Sequence, residues 1–144
     1  MSRRLLAAAA LAGLLAAPVQ AAPRPQRLAA VGVRAKAPAF LAVELRLPKG
    51  RSLDQDTALR WRITETYAGF QYTAKRKDKL LPPVTRWRIP FSAEPADTGV
   101  RLFVEFRTCR GQDCRDEAAD YLVVLKPSLK EKRGEVPVVV KVAE

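Results

Sequence analysis

Apolar and charged residues alternate one for one along most of this chain, and that alternation constrains the fold more than any other feature. Successive side chains of a strand point to opposite sides, so a period of two with one apolar side marks a half-buried strand. In FLAVELRLP, Leu41, Val43, Leu45 and Leu47 share one side, and Ala42, Glu44 and Arg46 share the other. LRWRIT sets Leu59, Trp61 and Ile63 against Arg60, Arg62 and Thr64. TRWRIPF repeats the device with Trp87, Ile89 and Phe91 against Arg86 and Arg88. In VRLFVEFRT, Val100, Leu102, Val104 and Phe106 oppose Arg101, Glu105 and Arg107. DYLVVLK and EVPVVVKV are denser apolar runs, expected of strands that are central or covered on both faces.

The intervals are turn chemistry: Pro48-Lys49-Gly50, Pro82-Pro83, residues 94–99 (EPADTG) and Lys132-Arg133-Gly134. With RLAAVGVRA as a first strand and FQYTAKRK as a ragged one, the chain predicts about eight strands, spaced roughly 10 to 15 residues apart. No stretch beyond residue 21 keeps a helical period. Such a pattern predicts an all-β, two-sheet antiparallel sandwich in which apolar faces meet and arginine faces look outward.

Residues 1–21 read as a cleaved secretory signal. Arg3 and Arg4 form a short positive region, Leu5 to Ala16 an apolar run, and Val19-Gln20-Ala21 offers the small residues a signal peptidase reads. The apolar run stops at Pro18 after about a dozen residues, short of the roughly 18 to 20 a membrane span needs. Ser2-Arg3-Arg4-Leu5 leaves the general and twin-arginine export routes both open. The mature chain is therefore expected in the periplasm or outside the cell, without a transmembrane segment. Residues 22–27, with Pro23 and Pro25, read as a flexible leader, and residues 28–144 as one sandwich domain.

Two of the 26 basic residues lie in the signal, leaving 24 against 15 acidic ones. That excess points to an anionic partner, either an envelope protein or an anionic envelope polymer, although a generally basic surface needs none. If their strands are neighbours, Arg60, Arg62, Arg86 and Arg88 form an anion-binding face; otherwise they are a solvated outer surface that deters edge aggregation. TAKRKDKL, residues 73–80, is the densest basic stretch and reads as an exposed loop rather than a nucleic-acid arm.

The chain has no histidine, which removes Ser-His-Asp and Cys-His nucleophile systems, histidine metal ligands and the usual general base near neutral pH. Asp113, Asp116, Glu117 and Asp120 lack the glycine-punctuated spacing of a calcium loop, and no glycine-rich phosphate loop occurs. No cofactor or metal is expected. Only Cys109 and Cys114, in RTCRGQDCRDE, are equipped for covalent chemistry.

Two thiolates are at most half of a structural zinc site, and no other Cys or His completes it. In an oxidising space the pair closes a short hairpin as a disulfide, worth about 2 kcal/mol for so small a loop. Arg107, Arg110 and Arg115 would favour a thiolate, while Asp113 and Asp116 oppose it.

A strand running into Cys-x4-Cys, LFVEFRTCRGQDC, followed by ADYLVVL, resembles the N-terminal immunoglobulin-like domain of the DsbD thiol:disulfide interchange proteins. LAVELRLPKGRSLDQDTALRWRIT, with its strand, Leu-Pro-x-Gly, polar link and Trp-bearing strand, is similar to the related β-domain of thioredoxin-like and NHL-repeat proteins. The resemblance spans residues 39–126. It implies an immunoglobulin-like sandwich, a candidate redox pair in Cys109 and Cys114, and an aromatic cap over that pair, for which Tyr67, Phe70 and Tyr72 are the candidates. Cys114 runs into Arg115-Asp116-Glu117 where that family commonly has a Pro-Pro type turn. Two functions follow: a non-catalytic binding or accessory module stiffened by a Cys109–Cys114 bridge, or a thiol:disulfide exchange module using the same pair.

Overall fold

The computed structural model describes residues 24–144. The expected signal peptide, residues 1–21, lies outside the described residues, as does the start of the expected leader. Among the described residues there is no helix, hence none long and apolar enough to cross a membrane.

Eleven strands form two facing sheets. They are β1 (Gln26–Arg27), β2 (Val31–Arg34), β3 (Ala39–Arg46), β4 (Ser52–Leu53), β5 (Leu59–Thr66) and β6 (Phe70–Tyr72), followed by β7 (Lys77–Leu80), β8 (Arg86–Ala93), β9 (Thr98–Arg110), β10 (Asp113–Ser128) and β11 (Glu135–Lys141). The first sheet runs β1-β10-β9-β5-β7, with β2 also on β10 and β4 on β9. The second runs β11-β3-β8-β6. All eight expected strands are present. The additions are β1 and β4, each two residues long, and β7, which corrects the exposed loop expected at residues 73–80: the ragged run ends as strand at Tyr72, and Lys77–Leu80 pairs with β5, its alternation hidden by lysines on the outer side.

Taking β2, β3, β5, β6, β8, β9 and β10 in order as seven strands, the second, fifth and fourth share one sheet, and the third, sixth and seventh the other. This is immunoglobulin-like connectivity. β2 joins the sheet of the latter set, and β11 is an addition beside β3.

The sandwich is not purely antiparallel as the alternation suggested. β1 and β2 run parallel to β10, and β11 runs parallel to β3. Alternation encodes which side of a strand is buried; both directions bury the same side, so direction is not written in it. β11 also lies at an edge rather than in the middle, which accommodates Pro137, a residue with no N–H to give a second neighbour.

The alternating apolar residues are the core. Leu41, Val43 and Leu45 of β3, Leu59, Trp61 and Ile63 of β5, and Val100, Leu102, Val104 and Phe106 of β9 are all buried. Phe91 of β8 is fully enclosed, with the Phe70 ring stacked at 5.1 Å between centroids. Replacing Phe91 with Ala removes a ring from a site with no solvent to refill it, and should cost about 3–5 kcal/mol. Leu129, 68% exposed, should change stability by less than about 0.5 kcal/mol on replacement with Ala; denaturant unfolding of both variants checks the contrast.

Candidate functional site

Three places inherit the sequence expectations: the cysteine hairpin and the outer faces of the two sheets. Cys109 and Cys114 are direct register partners across β9 and β10, and their sulfurs are bonded. The chain reverses through Gly111-Gln112, between the paired residues Arg110 and Asp113. Gly111 has φ +59° while Gln112 has no positive φ, as a two-residue hairpin turn with glycine first requires. In β9 the even-numbered residues from 102 to 108 are buried, so Cys109 belongs to the outward row, half-buried, with Cys114 beside it.

The inner side of the same hairpin tip is held by Arg51, whose side chain is only 3% exposed. Its Nη1 donates to Thr108 Oγ1 at 3.1 Å and Thr108 O at 3.3 Å, and its Nη2 to Asp113 Oδ2 at 2.8 Å. A buried guanidinium is tolerable only with such partners. β4 continues from Arg51 and pairs with β9, placing Ser52 opposite Cys109. Arg110 Nη2 donates to Lys49 O at 2.8 Å, so the segment after Pro48 lies against the tip. Nothing in the sequence marked Arg51, because its role depends on a segment 57 positions away.

The three candidate cap aromatics are elsewhere. The Tyr67 N–H donates to Gly99 O, and Gly99 is ten positions up β9 from Cys109, roughly 30 Å along the strand. Phe70 is in the core against Phe91, and Tyr72 lies under Arg76. Among the described residues no group of three or more Cys, His, Asp or Glu side chains is placed to hold a metal ion.

The four arginines do not make one face. Arg60 and Arg62 project from β5 in the first sheet, whereas Arg86 and Arg88 project from β8 in the second, on the opposite side of the sandwich. The same Arg-x-Arg spacing meets different neighbours in the two places. Arg88 Nη2 lies 2.6 Å from Glu135, and Glu44 is shared by Arg86 Nη2 at 3.4 Å and Arg46 Nε at 3.5 Å, so each arginine of that face has a carboxylate beside it.

On the first sheet the cross-strand register puts like charges together. Arg60 is opposite Lys79 and Arg62 opposite Lys77, all four exposed. On the other flank, β9 supplies Glu105 opposite Arg60 and Phe103 opposite Arg62. The Arg62 guanidinium sits 4.5 Å over the Phe103 ring, with its Nη1 3.6 Å from Glu105. Among the described residues no carboxylate is within ion-pairing distance of Arg60, Lys77 or Lys79. Asp78 alternates to the other side of β7, where its carboxylate accepts the Lys79 N–H at 2.8 Å and the Lys75 ammonium at 3.2 Å. Those bonds, the Lys79 N–H first, hold its carboxyl below the usual carboxylate range. The result is a shallow open groove of about 360 Å³ whose walls carry four cations, the Phe103 ring and the carboxylates Glu105 and Asp78, a net excess of two positive charges.

No protein-family model and no curated protein matches this chain.

Like charges directly opposite each other on a sheet are destabilising, and a bound anion, salt or a charge-changing mutation relieves the repulsion. Lys79→Glu converts the Arg60 pair to opposite charges and should raise stability by about 0.2–1 kcal/mol at low salt, shrinking as salt screens the pair. Urea midpoints of the variant and the wild type at two ionic strengths check it.

Proposed function

We propose that this chain is a non-catalytic binding module of an oxidising extracytoplasmic space, and that its working surface is the cationic groove of β5 and β7. The observation that carries the reading is the pair of like-charge contacts, Arg60 with Lys79 and Arg62 with Lys77, flanked by a single carboxylate, Glu105, for the four cations. The second sheet differs in having Glu135 beside Arg88 and Glu44 shared by Arg46 and Arg86. The partner is an anionic component of the cell envelope. The Cys109–Cys114 bond suits an oxidising compartment, as does the signal-like pattern of residues 1–21.

Such binding is electrostatic and should weaken as salt rises. The mature chain should be retained on an immobilised polyanion at about 0.15 M salt, and removal of Arg60, Arg62, Lys77 and Lys79 together should abolish retention. Equal retention of that variant, or equal loss on removing Arg86 and Arg88, would overturn the assignment of the groove.

A second reading, thiol:disulfide exchange, draws on the outward position of Cys109–Cys114 at a hairpin tip. In that chemistry a partner's thiolate attacks one of the two sulfurs, forming a mixed disulfide. The partner's second thiol then resolves it, so the partner is oxidised to a disulfide as Cys109 and Cys114 become thiols. An inert bridge predicts a reduction potential below about −300 mV, and an exchange site one between about −270 and −120 mV. Thiol alkylation across graded dithiol buffers distinguishes them.

A further inference from the structure

We infer that the occupant of the β5–β7 groove is an extended acidic segment of a partner protein, with its carboxylates on alternate residues. This rests on the binding-module reading and adds the identity and pose of the ligand. Along each strand the cations are two residues apart, Arg60 to Arg62 and Lys77 to Lys79, a step of about 6.7 Å. Across the strands each arginine and its lysine have Cβ atoms about 5 Å apart. Arg60 with Lys79 thus frames one slot for a carboxylate between a planar fork and a point charge, and Arg62 with Lys77 frames a second once the Arg62 guanidinium leaves Glu105. An extended polypeptide presents every second side chain on one side with the same step of about 6.7 Å. A segment lying along the groove therefore fills both slots with residues i and i+2, while residue i+1 faces solvent.

The neighbours fix the direction. Crossing outward from Arg60 the next residues are Glu105 and Ala118, and from Arg62 they are Phe103 and Asp120. A polyanion crossing the strands would meet the Glu105 and Asp120 carboxylates, whereas one running between β5 and β7 lies on the lysine side of the arginines, with Glu105 on their other flank. The sheet edge is a poor alternative, because the Lys79 N–H is already taken by Asp78; recognition is through side chains rather than strand addition. Phe103 beneath Arg62 keeps one guanidinium face against an aromatic ring, leaving its N–H edges for a carboxylate. The Arg62–Glu105 contact, 55% and 46% exposed, is weak enough to be exchanged for the ligand.

Three probes of equal charge test this by fluorescence anisotropy with the mature chain: a peptide with glutamate at every second position, a peptide of the same composition with its glutamates contiguous, and linear polyphosphate. The alternating peptide should bind about tenfold more tightly than the contiguous one. Arg60→Ala with Lys79→Ala should remove that preference, and Arg86→Ala with Arg88→Ala should leave it intact. If polyphosphate binds through the four cations while the two peptides bind equally or not at all, the acidic-segment inference fails and the binding-module reading stands. If no probe binds in a way that depends on these cations, both fail. Far-ultraviolet circular dichroism of each variant separates lost binding from lost fold.

Discussion

Burying one side of a strand necessarily leaves the other to solvent or to a partner, and this constraint organises the whole molecule. The enclosed residues of β3, β8, β5 and β9 meet in a single layer. The positions between them are thereby committed to the outside, and there the chain carries its arginines. Core and surface are two readings of the same strands. Area burial of the inward set supplies the stability that lets the outward set be chosen for other reasons.

The outer surfaces show how little a local motif decides. Arg60-Trp61-Arg62 and Arg86-Trp87-Arg88 are the same three residues in the same conformation, with the tryptophans inward. One copy has Glu44 and Glu135 beside it, while the other lies between Glu105 on one flank and Lys77 and Lys79 on the other. The difference comes from which strands pair, and therefore from contacts between segments far apart in sequence. A positive surface needs register as well as composition.

That distinction also accounts for what could be read in the sequence. Alternation identified the buried residues of β3, β5, β8 and β9, because face is a local property of a strand. The sheet to which a strand belongs is not local, so the four arginines could be placed on outer faces but not apportioned between them. Pro137 did carry a signal for an edge position, and the dense Val-rich run around it obscured that signal. Arg51 had no signal at all: a charged residue after a Pro-Lys-Gly turn looks like surface until β9 and β10 close over it. The cysteines were legible as a short hairpin closure because four intervening residues leave room for little else in an oxidising space.

The β9–β10 ladder pairs residue by residue from Arg110–Asp113 to Thr98–Leu125. A slip of one residue anywhere along it would turn Val100, Leu102, Val104 and Phe106 outward and bring arginines into the core. Such a slip would also move Cys109 away from Cys114, since the two are direct partners only in the correct register. The sulfur pair therefore works as a checksum for the hairpin: its closure records that the longest ladder in the protein has been zipped in the right frame.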